Sequence, residues 1–140
     1  MKARALIALA AVVAMSAGAQ ASSKGSRSGV YTDAQADEGA RVYGAQCAMC
    51  HGTRLEGTVE TPGLVGKFVA NWAGRPLGDL FDYLARAMPQ SSPGRLAPLD
   101  NARLIAFILR TNGAPAGDTP LPAEAAALRQ ISFDPVKQGS

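Results

Sequence analysis

Leu77, Leu80, Phe81, Leu84 and Met88 recur at spacings of three and four. That pattern lays one apolar stripe along a helix. Pro76 suits its opening, Asp79 and Asp82 lie early and Arg86 late, as the helix dipole favours, and Pro89 forbids continuation. A second helix is expected from a cap at Asp100 to about Thr111. Leu104, Phe107, Ile108 and Thr111 form its main face, Ile105 and Leu109 lie alongside, and Asn112-Gly113 ends it. A third is expected over 33–46, with Thr32 as N-cap and Gln35 as the reciprocal partner three residues on. Gly39, Tyr43 and Cys47 share one face of it. Glycine is a poor helix former, so close approach by another backbone is its explanation.

Between Gly52 and Gly74 the periodicity disappears. This stretch holds five glycines and Pro62, with scattered Leu64, Val65, Phe68 and Trp72. It reads as a long ordered loop with room for one helical turn, and such a loop needs something large to wrap. Gln90 to Leu99, with Pro93, Gly94 and Pro98, is a second irregular segment. Pro122 to Gln130 reads as a short proline-started helix, and no strand pair or internal repeat is expected. The expected fold class is all-α, with three main helices and long loops. Three short helices bury little apolar area, and a large bound apolar group would complete the core.

The start of the chain is set apart. Lys2 and Arg4 precede the apolar run Ala5 to Ala17, and Ala19-Gln20-Ala21 fits a small-x-small cleavage pattern. Residues 1–21 are therefore expected to be an export signal cut before Ser22, which puts the protein in the periplasm. The run is short for a membrane span. Residues 22–31 are expected to be flexible, 32–113 to form the domain, and 114–140 to be an extension packed on the domain or at a partner interface. The chain has 140 residues and a net charge of +3, two units of which leave with the signal. No Lys/Arg cluster remains for a phosphate backbone, so nucleic acid is not an expected partner. The length excludes a barrel enzyme or a two-lobed nucleotide enzyme. One histidine and two cysteines exclude a four-ligand Cys/His zinc site, unless carboxylates or a second chain contribute.

Those three residues are clustered as Cys47-Ala48-Met49-Cys50-His51, the C-x-x-C-H attachment motif for haem c. Two thiols one helical turn apart add to the two vinyl groups on one porphyrin edge, and the following histidine binds iron. A thioredoxin-like redox pair, a structural disulfide and half a metal site are the competing readings, and no strand precedes the motif as that redox fold needs. The second axial position calls for a soft neutral ligand or stays open. No second histidine exists, Met1 and Met15 leave with the signal, and Met49 is trapped between the attachment cysteines. Met88 is the remaining methionine. Its competing reading is a core methionine ending the apolar stripe, with Lys67 or an open site as the rival at iron.

These residues resemble a class I bacterial cytochrome c over about 32–113. Gly39 and Tyr43 match the family's first helix, Leu104 and Phe107 their contacts on the last, and Cys47, Cys50 and His51 the attachment site. Pro62 and Leu64 match a proline-x-leucine whose proline carbonyl accepts a bond from the iron-binding histidine. Met88-Pro89 matches the axial methionine and its following proline. Thr61 stands where the family often has glycine. The resemblance implies a cytochrome c-like fold around one covalently bound haem c, with His51 and Met88 as iron ligands. It implies that Trp72 gives its indole N–H to a propionate, the alternative being an ordinary core aromatic. Arg75 either neutralises a propionate or is a solvated surface residue. Phe68, Leu80, Leu84 and Leu99 are expected on the porphyrin, and Tyr83 either near it or facing solvent.

The string Phe68…Trp72-Ala73-Gly74, Leu80-Phe81-Asp82-Tyr83 and Met88-Pro89…Pro93-Gly94 is similar to cytochromes serving periplasmic dehydrogenases. That likeness implies a quinoprotein or sulfur-compound dehydrogenase as electron donor and a downstream cytochrome or oxidase as acceptor. No acid–base or nucleophilic constellation is evident, so an electron carrier rather than an enzyme is expected. The alternatives are a haem enzyme or sensor with an open sixth site, and an electron-transfer subunit of a dehydrogenase complex.

Overall fold

The computed structural model describes residues 24–134; the expected signal and its cleavage site, and residues 135–140, lie outside them. The fold is all-α with one small strand contact. Its helices are α1 (Asp33–Gln46), α2 (Ala48–His51), α3 (Lys67–Trp72), α4 (Leu77–Ala87), α5 (Pro98–Thr111) and α6 (Ala125–Leu128). Strand β1 (Lys24–Gly25) pairs in parallel with β2 (Ile131–Ser132).

The central contact is the crossing of α1 and α5. A Cβ added at Gly39 would overlap the Arg103 carbonyl and lie 2.9 Å from Phe107 Cβ, so only glycine lets the backbones meet. Beside the crossing, the Tyr43 and Phe107 rings stand 5.2 Å apart. Arg110 near the end of α5 bonds Asp37 on α1 at 2.7 Å. Leu104, Ile105, Ile108 and Leu109 are buried from α5, and Leu77, Leu80, Phe81 and Leu84 from α4. Each such side chain contributes roughly 1.5–3 kcal/mol on burial.

Thr32 caps α1 by accepting the Gln35 N–H at 3.2 Å. The reciprocal half of the expected capping box is absent. Gln35 is buried and instead grips Leu121, donating to its carbonyl at 2.9 Å and accepting its N–H at 2.8 Å. Helix α5 begins at Pro98, so Asp100 lies within its first turn rather than capping it, and pairs with Arg103 at 2.9 Å.

Residues 114–134 form a strap over the domain. The Tyr31 hydroxyl donates to the Ala114 carbonyl at 2.6 Å, and Gly117 N–H donates to Tyr31 at 2.7 Å. Helix α6 is shorter than the expected 122–130 and packs on α4. There Gly78 admits the Ala125 carbonyl, which a Cβ would meet at 2.6 Å. Arg129 pairs with Asp82 and lies 4.0 Å from Asp79.

Two expectations are corrected here. The segment expected to be flexible is ordered from Lys24: it supplies β1 and a turn at Ser26–Ser28, and buries Val30 and Tyr31. A strand pair also exists where none was expected. Both have one cause: the strap returns beside the N-terminal segment and gives its backbone groups and apolar side chains partners.

Candidate cofactor site

The site starts where α1 ends. Cys47 caps α1 and opens the single turn α2, in which its carbonyl accepts the Cys50 N–H at 3.1 Å and the His51 N–H at 2.9 Å. The turn brings Cys47, Cys50 and His51 onto the wall of one cavity of about 780 Å³. Met49, between the cysteines, is 94% exposed at its mouth. Gly52 then takes φ 80°, and its carbonyl accepts the Tyr43 hydroxyl at 2.6 Å, tying the turn back to α1. The two cysteines form no disulfide with each other. Burial, and then the neighbouring Cys50, push the Cys47 thiol up to about 11, so at neutral pH it is protonated.

His51 is oriented by the loop after the motif. Its Nδ1 lies 2.8 Å from the Pro62 carbonyl. A carbonyl only accepts, so Nδ1 carries the proton and Nε2 keeps its lone pair for a metal. Glycines and one strained leucine shape this loop. Gly57 takes φ 78° and donates to the His51 carbonyl at 2.7 Å. Leu55 takes φ 64° with its side chain fully buried, and its carbonyl accepts the Leu64 N–H at 2.8 Å. The motif and the glycine content pointed to the loop, but nothing in the sequence singled out Leu55.

Met88, the residue that ends α4, lines the same cavity, as do Leu80, Tyr83 and Leu84 from α4 and Phe68 and Trp72 from α3. Tyr83 is 41% exposed, so it serves the wall and the surface together. Lys67 also reaches the cavity.

Two expected residues do not join the site. Leu99 is 47% exposed and off the cavity wall, where Leu96, Leu104 and Ile108 stand instead. Because α5 starts at Pro98, Leu99 falls on the outer side of its first turn. Arg75 is also absent from the wall. Its guanidinium lies 4.3 Å from the Trp72 ring centroid and 3.5 Å from Asp79, so a cation–π contact and an ion pair hold it away.

The donor set fits haem c. It comprises two thiols one turn apart, an oriented imidazole and a thioether, around a largely apolar cavity of cofactor size. Among the described residues no three His, Cys, Asp or Glu converge, so no all-protein zinc-type donor set forms there. Nor is any described helix long and apolar enough to cross a membrane.

The chain belongs to the family described as cytochrome C oxidase, cbb3-type, subunit III, whose model matches residues 34–108. That membership places it in respiratory electron-transfer machinery. Among solved structures, the sulfane dehydrogenase SoxCD from Paracoccus pantotrophus is similar at 28% identity, over 64% of this chain and 53% of that one, with a TM-score of 0.49. The chain thus spans about half the length of that relative. No curated protein matches.

Proposed function

We propose that the chain is a haem c protein of the periplasm that transfers single electrons as a subunit or close partner of a larger respiratory oxidoreductase. The observation that carries this reading is the α2 turn. It sets Cys47, Cys50 and an Nδ1-anchored His51 on one apolar cavity that Met88 also lines. The resemblance to class I cytochromes c and their fold supports it, as does the description of the family as an oxidase subunit. When bound, haem c supplies the Fe(III)/Fe(II) couple. Cys47 and Cys50 would hold it covalently, and His51 Nε2 and the Met88 thioether would ligate the iron. The Pro62 carbonyl fixes the imidazole plane and raises its basicity. Leu80, Leu84, Leu96, Phe68 and Trp72 exclude water, which favours the less charged, reduced state. With both His51 and Met88 as ligands, the chain would hold the iron from two sides with its own residues and would serve outer-sphere electron transfer. Electrons would come from a periplasmic dehydrogenase of quinoprotein or sulfur-compound type and pass to a downstream cytochrome or oxidase.

A free carrier is the second reading, and the strap favours it. Leu121, Leu128, Ile131 and Phe133 are buried within this chain, so they are not reserved for a partner.

The test is expression with and without a cytochrome c maturation system. Mature protein from the competent host should carry the mass of one haem, and Cys47→Ser with Cys50→Ser should carry none. The oxidised protein should show the far-red methionine-to-iron band. Met88→Ala should lose that band and bind cyanide at once. Absence of covalent haem overturns the reading, and a parent protein without the band overturns Met88 as ligand. Gel filtration of native periplasmic extract separates subunit from free carrier, by co-elution with an oxidoreductase or elution as a monomer.

A further inference from the structure

We infer that Phe133, on the C-terminal strap, is a positioning residue for the cofactor cavity: it holds α3 in place and thereby sets the reduction potential. The inference rests on the haem c reading above.

Helix α3 has little hold of its own. It spans six residues, its cap residue Gly66 makes no side-chain bond, and none of its residues is fully buried. A helix that short does not persist unaided in water. Yet it carries Phe68 and Trp72, two aromatic members of the cavity wall.

The strap supplies the hold. Gly74 N–H donates to the Phe133 carbonyl at 2.8 Å, and Phe133 N–H donates to the Arg75 carbonyl at 2.8 Å. Pro76 and Ser132 extend this as an antiparallel bridge. The buried Phe133 ring meets Phe68 edge-on, with centroids 6.0 Å apart and planes at 77°. Phe68 meets Trp72 at 6.0 Å, Trp72 meets Tyr83 at 6.0 Å, and the Arg75 guanidinium lies 4.3 Å from the Trp72 ring centroid. The strap end is itself clamped. Lys24 N–H donates to Gln130 at 3.1 Å, β1 pairs with β2, and Asp134 N–H donates to the buried Ser26 hydroxyl at 2.9 Å. Backbone and ring contacts thus run without a gap from the N-terminal segment, through Phe133, to the wall. Loosening that wall admits water, which stabilises the more charged oxidised form and lowers the potential.

The experiment compares haem-loaded parent protein with Phe133→Ala, Phe133→Leu and Leu121→Ala. Leu121 is buried in the same strap but anchored to Gln35 of α1, so it reports destabilisation of the strap away from α3. The readouts are midpoint potential, hydrogen exchange at the Gly74 amide, and the indole N–H resonance of Trp72, the chain's sole tryptophan. Phe133→Ala should lower the potential, speed Gly74 exchange and move the indole resonance. Phe133→Leu, which keeps apolar volume, should restore most of each. Leu121→Ala should lower the melting temperature and leave the potential at the parent value. Parent-like potential and indole resonance in Phe133→Ala overturn the inference, and so does an equal fall in potential in Leu121→Ala. If Phe133→Ala does not fold, Phe133→Val, which removes the ring and keeps part of the apolar volume, takes its place: a lowered potential and a moved indole resonance support the inference, and parent-like values of both overturn it. A parent chain that acquires no haem defeats the functional reading alone. The Gly74 and Trp72 signals of that chain then decide whether Phe133 holds α3.

Discussion

Single residues here act through where the backbone puts them. His51 is oriented because the Pro62 carbonyl claims its Nδ1, and Arg75 stands at the surface because Trp72 and Asp79 hold its guanidinium. Tyr31 is a comparable case away from the site. Its hydroxyl is buried on the Ala114 carbonyl, and burial, then the Asp33 carboxylate, raise its pKa above the ordinary 10.0. The folded chain therefore keeps this phenol protonated while the unfolded chain ionises it. Its contribution is full below pH 10 and falls as pH rises from there through the raised folded value. Tyr31→Phe should cost about 1 kcal/mol at neutral pH and flatten the alkaline loss of stability, measured by urea unfolding across pH. A second contrast tests the corrected wall. Leu99→Ser should change stability by no more than about 0.5 kcal/mol, as at other exposed positions. Leu96→Ser, on the cavity, should lower both the melting temperature and the midpoint potential of the haem-loaded protein. The C-x-x-C-H spacing was legible in the sequence because attachment chemistry demands it locally. The exposure of Leu99 was not, because it turned on whether α5 began at Pro98 or after an Asp100 cap.

At the scale of elements, α1, α4 and α5 follow from periodicity and punctuation, and α1 spans the range its Thr32 cap implied. Their mutual packing is decided by small residues. Gly39→Ala drives a methyl group into the Arg103 carbonyl, so α1 and α5 must separate. Stability should fall by about 1–3 kcal/mol or more, read as a lower denaturation midpoint at unchanged slope. Gln35 is the second hinge of the architecture, since its amide makes both bonds to Leu121. Gln35→Ala leaves a buried N–H and a buried carbonyl without partners. That should cost about 1–3 kcal/mol and speed hydrogen exchange at the Leu121 amide. The sequence pointed Gln35 toward its own helix cap because a capping box is a local pattern. The long-range partner lies 86 residues away and leaves no periodic trace.

The described residues are built around the cavity, enclosed by the end of α1, by α2, α3, α4 and α5, and by the loops between them. The α1–α5 crossing and the strap close on each other from outside, through Tyr31, Gln35 and β1. Protein made without haem should therefore melt at a lower temperature and over a broader range than the loaded protein. Hydrogen exchange should quicken first in 53–66, which line the cavity outside any helix, and last across α1 and α5. The sequence by itself determined the three long helices, the all-α class and the C-x-x-C-H run. Each is encoded within a few turns of chain, by helical spacing, capping residues or the chemistry of one short run. Only the tertiary structure decided that residues 24–31 are ordered, that the strap pins α3 beside the cavity, and that Arg75 and Leu99 stand outside its wall. Those outcomes depend on which distant backbone reaches a segment first, and a local pattern of residues holds no record of that.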